Sequence, residues 1–183
     1  MSELGKMVLR LCRVGIMAAL YLPLALFVAI RIGTWQVSFG SLPVVVTALL
    51  FGPVDAFLVA AIGEFFKQLL TYGFTATTVL YLIPPALRGL VIGLAAAGLW
   101  KSGRRLEERR WLCYLVCICA AMITTLGNTM VNWADSLIYG YYTFAYVFGN
   151  AVVRFITGMV NSVVIATVAI PLVRILRKQG FMK

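Results

Sequence analysis

Four basic residues, Arg31, Lys67, Arg88 and Arg154, fall within or at the far ends of long apolar runs, apart from the other cations of the chain. A cation in an apolar segment costs several kcal/mol unless it pairs or faces a polar cavity, so each is a candidate ligand contact. Glu64 is the one acid inside such a run. It can neutralise Arg88 or Arg154 as a structural bridge, or serve as the proton site of a small secondary transporter. It cannot neutralise every cation. A surplus of positive charge suits a ligand bearing carboxylates, because a guanidinium grips a carboxylate through two parallel hydrogen bonds. Gln36, Asn128, Asn132 and Asn150 add hydrogen-bonding groups, and Trp35, Phe74 and Tyr142 add rings against which a flat heteroaromatic head could rest. Asn150 and Arg154 are spaced i, i+4 and share a helix face. Arg31 and Lys67 are close enough to the ends of their runs to snorkel towards water, which leaves Arg88 and Arg154 carrying the ligand argument.

The elements that must hold these groups are membrane spans. The chain is 62% hydrophobic and 12% charged, outside the range of a soluble domain. A span needs about 20 apolar residues. Candidate segments cover residues 9–32, 42–51, 56–70, 77–100, 111–133 and from 146 to the basic tail. The second is short and opens on Pro43, Gly52-Pro53 closes it, and Pro84-Pro85 must disturb the fourth. The first run is too long for the core of a signal peptide and is read as retained. Six crossings put all three basic clusters, at 6–13, 101–110 and 174–183, on one side, as the positive-inside rule requires. Both termini are then cytoplasmic, and the whole of 1–183 reads as a single all-α membrane domain. The net charge of +10 is a topology signal on this reading, not a nucleic-acid surface. Glu64, Lys67, Arg88, Arg154, Asn128, Asn132 and Asp135 all come to lie in the outer half.

Several functions lack their residues. The sequence has no His, no phosphate-binding glycine loop and no serine-nucleophile elbow, so it reads as neither a metalloenzyme nor an ATPase. Cys12, Cys113, Cys117 and Cys119 read as small packing residues near the cytoplasmic ends. Gly15 and Ala19, spaced small-xxx-small, would let another helix approach the first span closely.

The run Val37-Ser38-Phe39-Gly40-Ser41-Leu42-Pro43, followed by Leu50-Phe51-Gly52-Pro53-Val54-Asp55-Ala56, resembles the substrate-binding S components of energy-coupling factor (ECF) vitamin transporters. The stretches Asn128 to Asn132 and Tyr139 to Tyr142, and the start of the last helix around Arg154, extend the likeness over nearly the whole chain, closest to the folate-type group. The resemblance implies a six-helix bundle in the bacterial cytoplasmic membrane and no catalytic activity. It also implies a vitamin pocket in the outer half, a transmembrane T component docked on Gly15 and Ala19, and two cytoplasmic ATPases that use the ATP. A folate or pterin-like ligand is the leading expectation. A queuosine precursor (a deazapurine base) or a pyridine vitamin stays open.

Overall fold

A computed structural model describes residues 3–32 and 35–179, with the side chains of 29–37 excepted. The first helix, α1 (Glu3–Leu26), ends one turn after Pro23, whose carbonyl accepts from the amides of both Phe27 and Val28. The chain then turns extended, as the β-branched alternation of Ile30 and Ile32 favours. Strands β1 (Ala29–Ile32) and β2 (Trp35–Ser38) pair antiparallel, with Arg31 opposite Gln36 and Ile32 opposite Trp35. This corrects the expected first span: residues 29–32 are strand, and Arg31 belongs to a hairpin instead of a helix end. The side chains of Arg31, Trp35 and Gln36 lie outside the described residues.

Helix α2 (Ser41–Leu50) has ten residues, so it is about 15 Å long and crosses about half of the hydrocarbon core. Every residue from Pro43 to Leu50 is buried. That burial explains why the helix is apolar on all sides: it is enclosed by α1, α3, α4 and α7. Gly52, at φ 99°, makes the turn into α3 (Pro53–Tyr72), a backbone angle that a side chain would strain. Helix α4 (Thr78–Lys101) lies directly on α3. A Cβ added at Gly93 would sit 2.4 Å from the Cα of Pro53, and one at Gly89 would sit 2.7 Å from the carbonyl oxygen of Ala56. A short 3-10 turn, Leu106–Glu108, leads into α5 (Arg110–Ile138), followed by the single turn α6 (Phe144–Phe148) and by α7 (Ala151–Lys178). Helix α5 therefore continues through 134–138, beyond the expected span of 111–133.

Helices α1, α4, α5 and the joined α6–α7 are long and apolar enough to cross a membrane. Helix α3 has the length but carries Asp55, Glu64 and Lys67. With short α2 these form the expected six-helix bundle, decorated by one hairpin and the single turn α6.

The basic clusters meet at one end. Arg10 Nε pairs with Asp55 at 2.5 Å, tying α1 to the start of α3. Arg177 Nε lies 2.9 Å from Glu107 Oε1, a charge contact without hydrogen-bond alignment, and its Nη2 donates to the Leu49 carbonyl at 2.8 Å. Arg174 Nη2 donates to the Glu107 carbonyl at 2.6 Å. The main apolar core occupies this same half, where Leu50, Ile92, Leu106, Cys113, Ile165 and Val173 pack together. Cys113 and Cys117 are buried within it, as packing residues would be.

Candidate ligand cavity

The opposite half is hollow. Two adjoining cavities, of about 630 Å³ and 240 Å³, share Ala25, Ser38, Lys67, Arg88, Thr124, Asn128 and Asn161 on their walls. Ser38, at the end of β2, places the hairpin beside the opening. The larger cavity lies against α5 and α7. On α7 the lining residues Arg154, Thr157, Gly158 and Asn161 recur at helical spacing and form one polar stripe. Thr124, Thr125 and Asn128 form the facing stripe on α5. The two helices approach closely at the wall of the hollow, where a Cβ on Gly158 would lie 2.9 Å from Thr125 Oγ1. The hydroxyls of Thr124 and Thr125 donate back to the carbonyls of Ala120 and Ala121, so these buried side chains are satisfied within their own helix.

Glu64 has no free capacity. Its carboxylate accepts from Lys67 Nζ at 2.8 and 3.1 Å, from Gln68 at 2.9 Å and from the Tyr21 hydroxyl at 2.5 Å. Gly63 makes the Tyr21 contact possible, because a Cβ there would fall 2.5 Å from the ring. Glu64 is therefore a joint between α1 and α3, and it neutralises Lys67. This corrects both the expected Glu64–arginine bridge and the snorkelling of Lys67, which instead pairs with Glu64 and lines both hollows.

Arg88 and Arg154 keep their charges. Neither forms a salt bridge among the described residues. Arg88 Nε is buried without a hydrogen-bond partner among the described residues, and so is Asn161 Oδ1. Arg154 Nη2 donates to the carbonyls of Val147 at 2.8 Å and Tyr146 at 3.4 Å, which orients the guanidinium from the end of α6. A buried polar atom left without a partner costs about 1–3 kcal/mol. Two such atoms on one cavity wall are what a site looks like when its acceptors and donors belong to a ligand.

Arg88, Arg154, Lys67, Asn128 and Asn150 thus line the larger cavity, and Glu64 lines the smaller. Phe74, Asn132 and Tyr142 line neither. Phe74 is 71% exposed in the turn after α3. Asn132 accepts from the Tyr81 hydroxyl at 2.9 Å, and Tyr142 is exposed between α5 and α6. Asn132 instead belongs to an outer polar seam between α4 and α5. There Asp135 accepts from Thr77 at 2.5 Å and from the Tyr141 hydroxyl. The hydrogen bond to Asp135 pushes the Tyr141 phenol above its ordinary pKa. Sequence reasoning missed Asn161, Thr124, Thr125 and Ser38. The signal for Asn161 was present, since it continues the Asn150–Arg154 stripe by two further turns.

A family model described as "ECF-type riboflavin transporter, S component" matches residues 6–178. No curated protein matches the sequence. Among solved structures, ThiT from Listeria monocytogenes shares the fold with a TM-score of 0.67 at 19% identity, over 94% of this chain and 97% of that one.

Proposed function

The chain belongs to the ECF-type riboflavin transporter S component family, and from that premise we propose that it captures a flat vitamin bearing carboxylates, of the folate or pterin class, in the cavity between α5, α7 and the hairpin. Members of this family are the substrate-binding subunits of vitamin importers and not enzymes. The chain is accordingly a multi-pass membrane protein of a transport system. The observation that carries the ligand reading is Arg88, a cation on the cavity wall with a buried Nε that has no partner among the described residues. With Glu64 committed to Lys67, the cavity keeps the two positive charges of Arg88 and Arg154. Two guanidiniums favour an anionic tail over a neutral one. Asn128 and Asn161 supply groups that recognise the polar edge of a heteroaromatic ring.

On this reading the cell membrane is the location, and a T component with two ATPases releases the vitamin inside, the ATP being used by those partners. Gly15 and Ala19 are exposed on α1, and a Cβ added at Gly15 meets nothing within 4 Å, so this face is open to a partner helix.

Titration of the purified chain in detergent with folate and with riboflavin tests the ligand. Folate should bind more tightly, and Arg88→Ala or Arg154→Ala should weaken it about tenfold or more. Unchanged affinity in both variants overturns the site. A flavin is the second reading, favoured by the description of the family. It wins if riboflavin binds tightly and folate does not. Ala19→Trp should abolish uptake while binding persists; uptake that survives it removes α1 as the coupling face.

A further inference from the structure

A second concavity opens on the side of the bundle formed by α5 and α7, in the half that holds the basic clusters. Nearest the basic end is a hollow of about 220 Å³ between Arg110 and Arg174, with Thr167 and Pro171 on its wall. It meets, at Tyr114, an apolar groove of about 680 Å³ walled by Trp111, Leu115, Ile118 and Val163. The Tyr114 hydroxyl lies 3.0 Å from Thr167 Oγ1 and bridges the two helices at this junction.

We propose that this continuous groove holds one anionic phospholipid of the leaflet on the basic side, with its phosphate between Arg110 and Arg174 and an acyl chain along Leu115, Ile118 and Val163. Charge and shape point the same way. Neither arginine forms a salt bridge among the described residues, and the Arg174 bond runs to a neutral carbonyl that leaves its charge uncancelled. Pro171 has no amide hydrogen, so the Thr167 carbonyl lacks its donor one turn on and can accept from a headgroup hydroxyl. Trp111, 88% exposed and next to Arg110, stands where an indole sits at headgroup depth.

A partner helix is a poorer occupant. Close helix packing favours small residues, whereas this groove is walled by Trp, Tyr, Leu, Ile and Val with Cys119 as its one small residue. The open small-residue face belongs to α1, which packs on α2 and α3, while α5 packs on α4 and α7. Lipid binding on α5 and α7 would therefore coexist with a partner on α1.

The test reconstitutes the full chain into phosphatidylcholine vesicles that contain brominated phosphatidylglycerol or brominated phosphatidylcholine at equal mole fraction. Tryptophan quenching is then read. Quenching should be stronger with the anionic lipid, and Trp111→Phe should remove that excess. Arg110→Gln should lower the preference about fivefold, with vitamin binding unchanged as the check on folding. Equal quenching by the two lipids overturns the proposal, as does loss of the preference on adding inorganic phosphate, which would mark a plain anion site. Loss of the preference when the energising subunits assemble, together with failure of Val163→Trp to assemble, assigns the groove to a partner helix and also overturns it.

Discussion

Two arginines at the basic end and two in the hollow half are treated in opposite ways. At the basic end Arg10 is given Asp55, and Arg177 is given Glu107 and the Leu49 carbonyl, so these side chains stitch helix ends together. At the hollow the one lining carboxylate, Glu64, is consumed by Lys67, Gln68 and Tyr21, and Arg88 and Arg154 have no acid partner among the described residues. Packing differs in step. The basic half is filled by interlocked apolar side chains and by backbone contacts at Gly89 and Gly93, whereas the other half leaves room for a small molecule. An arginine paired with a carboxylate serves the fold, and one left without an acid can serve a ligand, whether at the cavity or at the groove between α5 and α7.

Four substitutions can break or sharpen this contrast. The largest effect is expected for Arg177→Met, since Glu107 is left as a buried charge with its side chain 3% exposed. Thermal unfolding in detergent should report a loss of about 3–5 kcal/mol with ligand affinity unchanged. Arg88→Met should do the reverse. Affinity falls about tenfold to a hundredfold, while stability holds or rises because an uncompensated cation has been removed. A destabilised Arg88→Met with normal affinity would make Arg88 structural and erase the distinction. Gly93→Ala should cost about 1–3 kcal/mol through overpacking against Pro53, read as a lower unfolding temperature with binding intact. The smallest effect is expected for Asn161→Ala, which removes one neutral hydrogen-bonding group. Isothermal titration should show a loss of about 1 kcal/mol of affinity.

Much of the bundle was legible in the chain. Long apolar runs, the Gly52-Pro53 break and the clustering of twelve cations report on the bilayer, a solvent that acts on every residue by composition alone. That is why α2, α3 and α4, and the start of α5, appear close to their expected bounds. The end of α1 was harder to see, because Val28, Ile30 and Ile32 are as apolar in a strand as in a helix. Only pairing with 35–38 made the difference. The same applies to α5, whose last turn is held by Asp135, Thr77 and Tyr141 from separate segments.

By itself the sequence determined that this is a membrane bundle with its basic loops on one side, that its polar groups gather away from those loops, and that acids are too few to neutralise them. Tertiary structure decided which cation receives the acid. Lys67 shares a helix face with Glu64 at i, i+3 and takes it, while Tyr21 from α1 and Gln68 fill the remaining lone pairs. The pairing depends on where α1 and α3 cross, and that crossing is set by Gly63 letting the Tyr21 ring lie against the helix. Arg88 and Arg154 are left without an acid because carboxylate geometry admits few partners and nearer groups occupy Glu64.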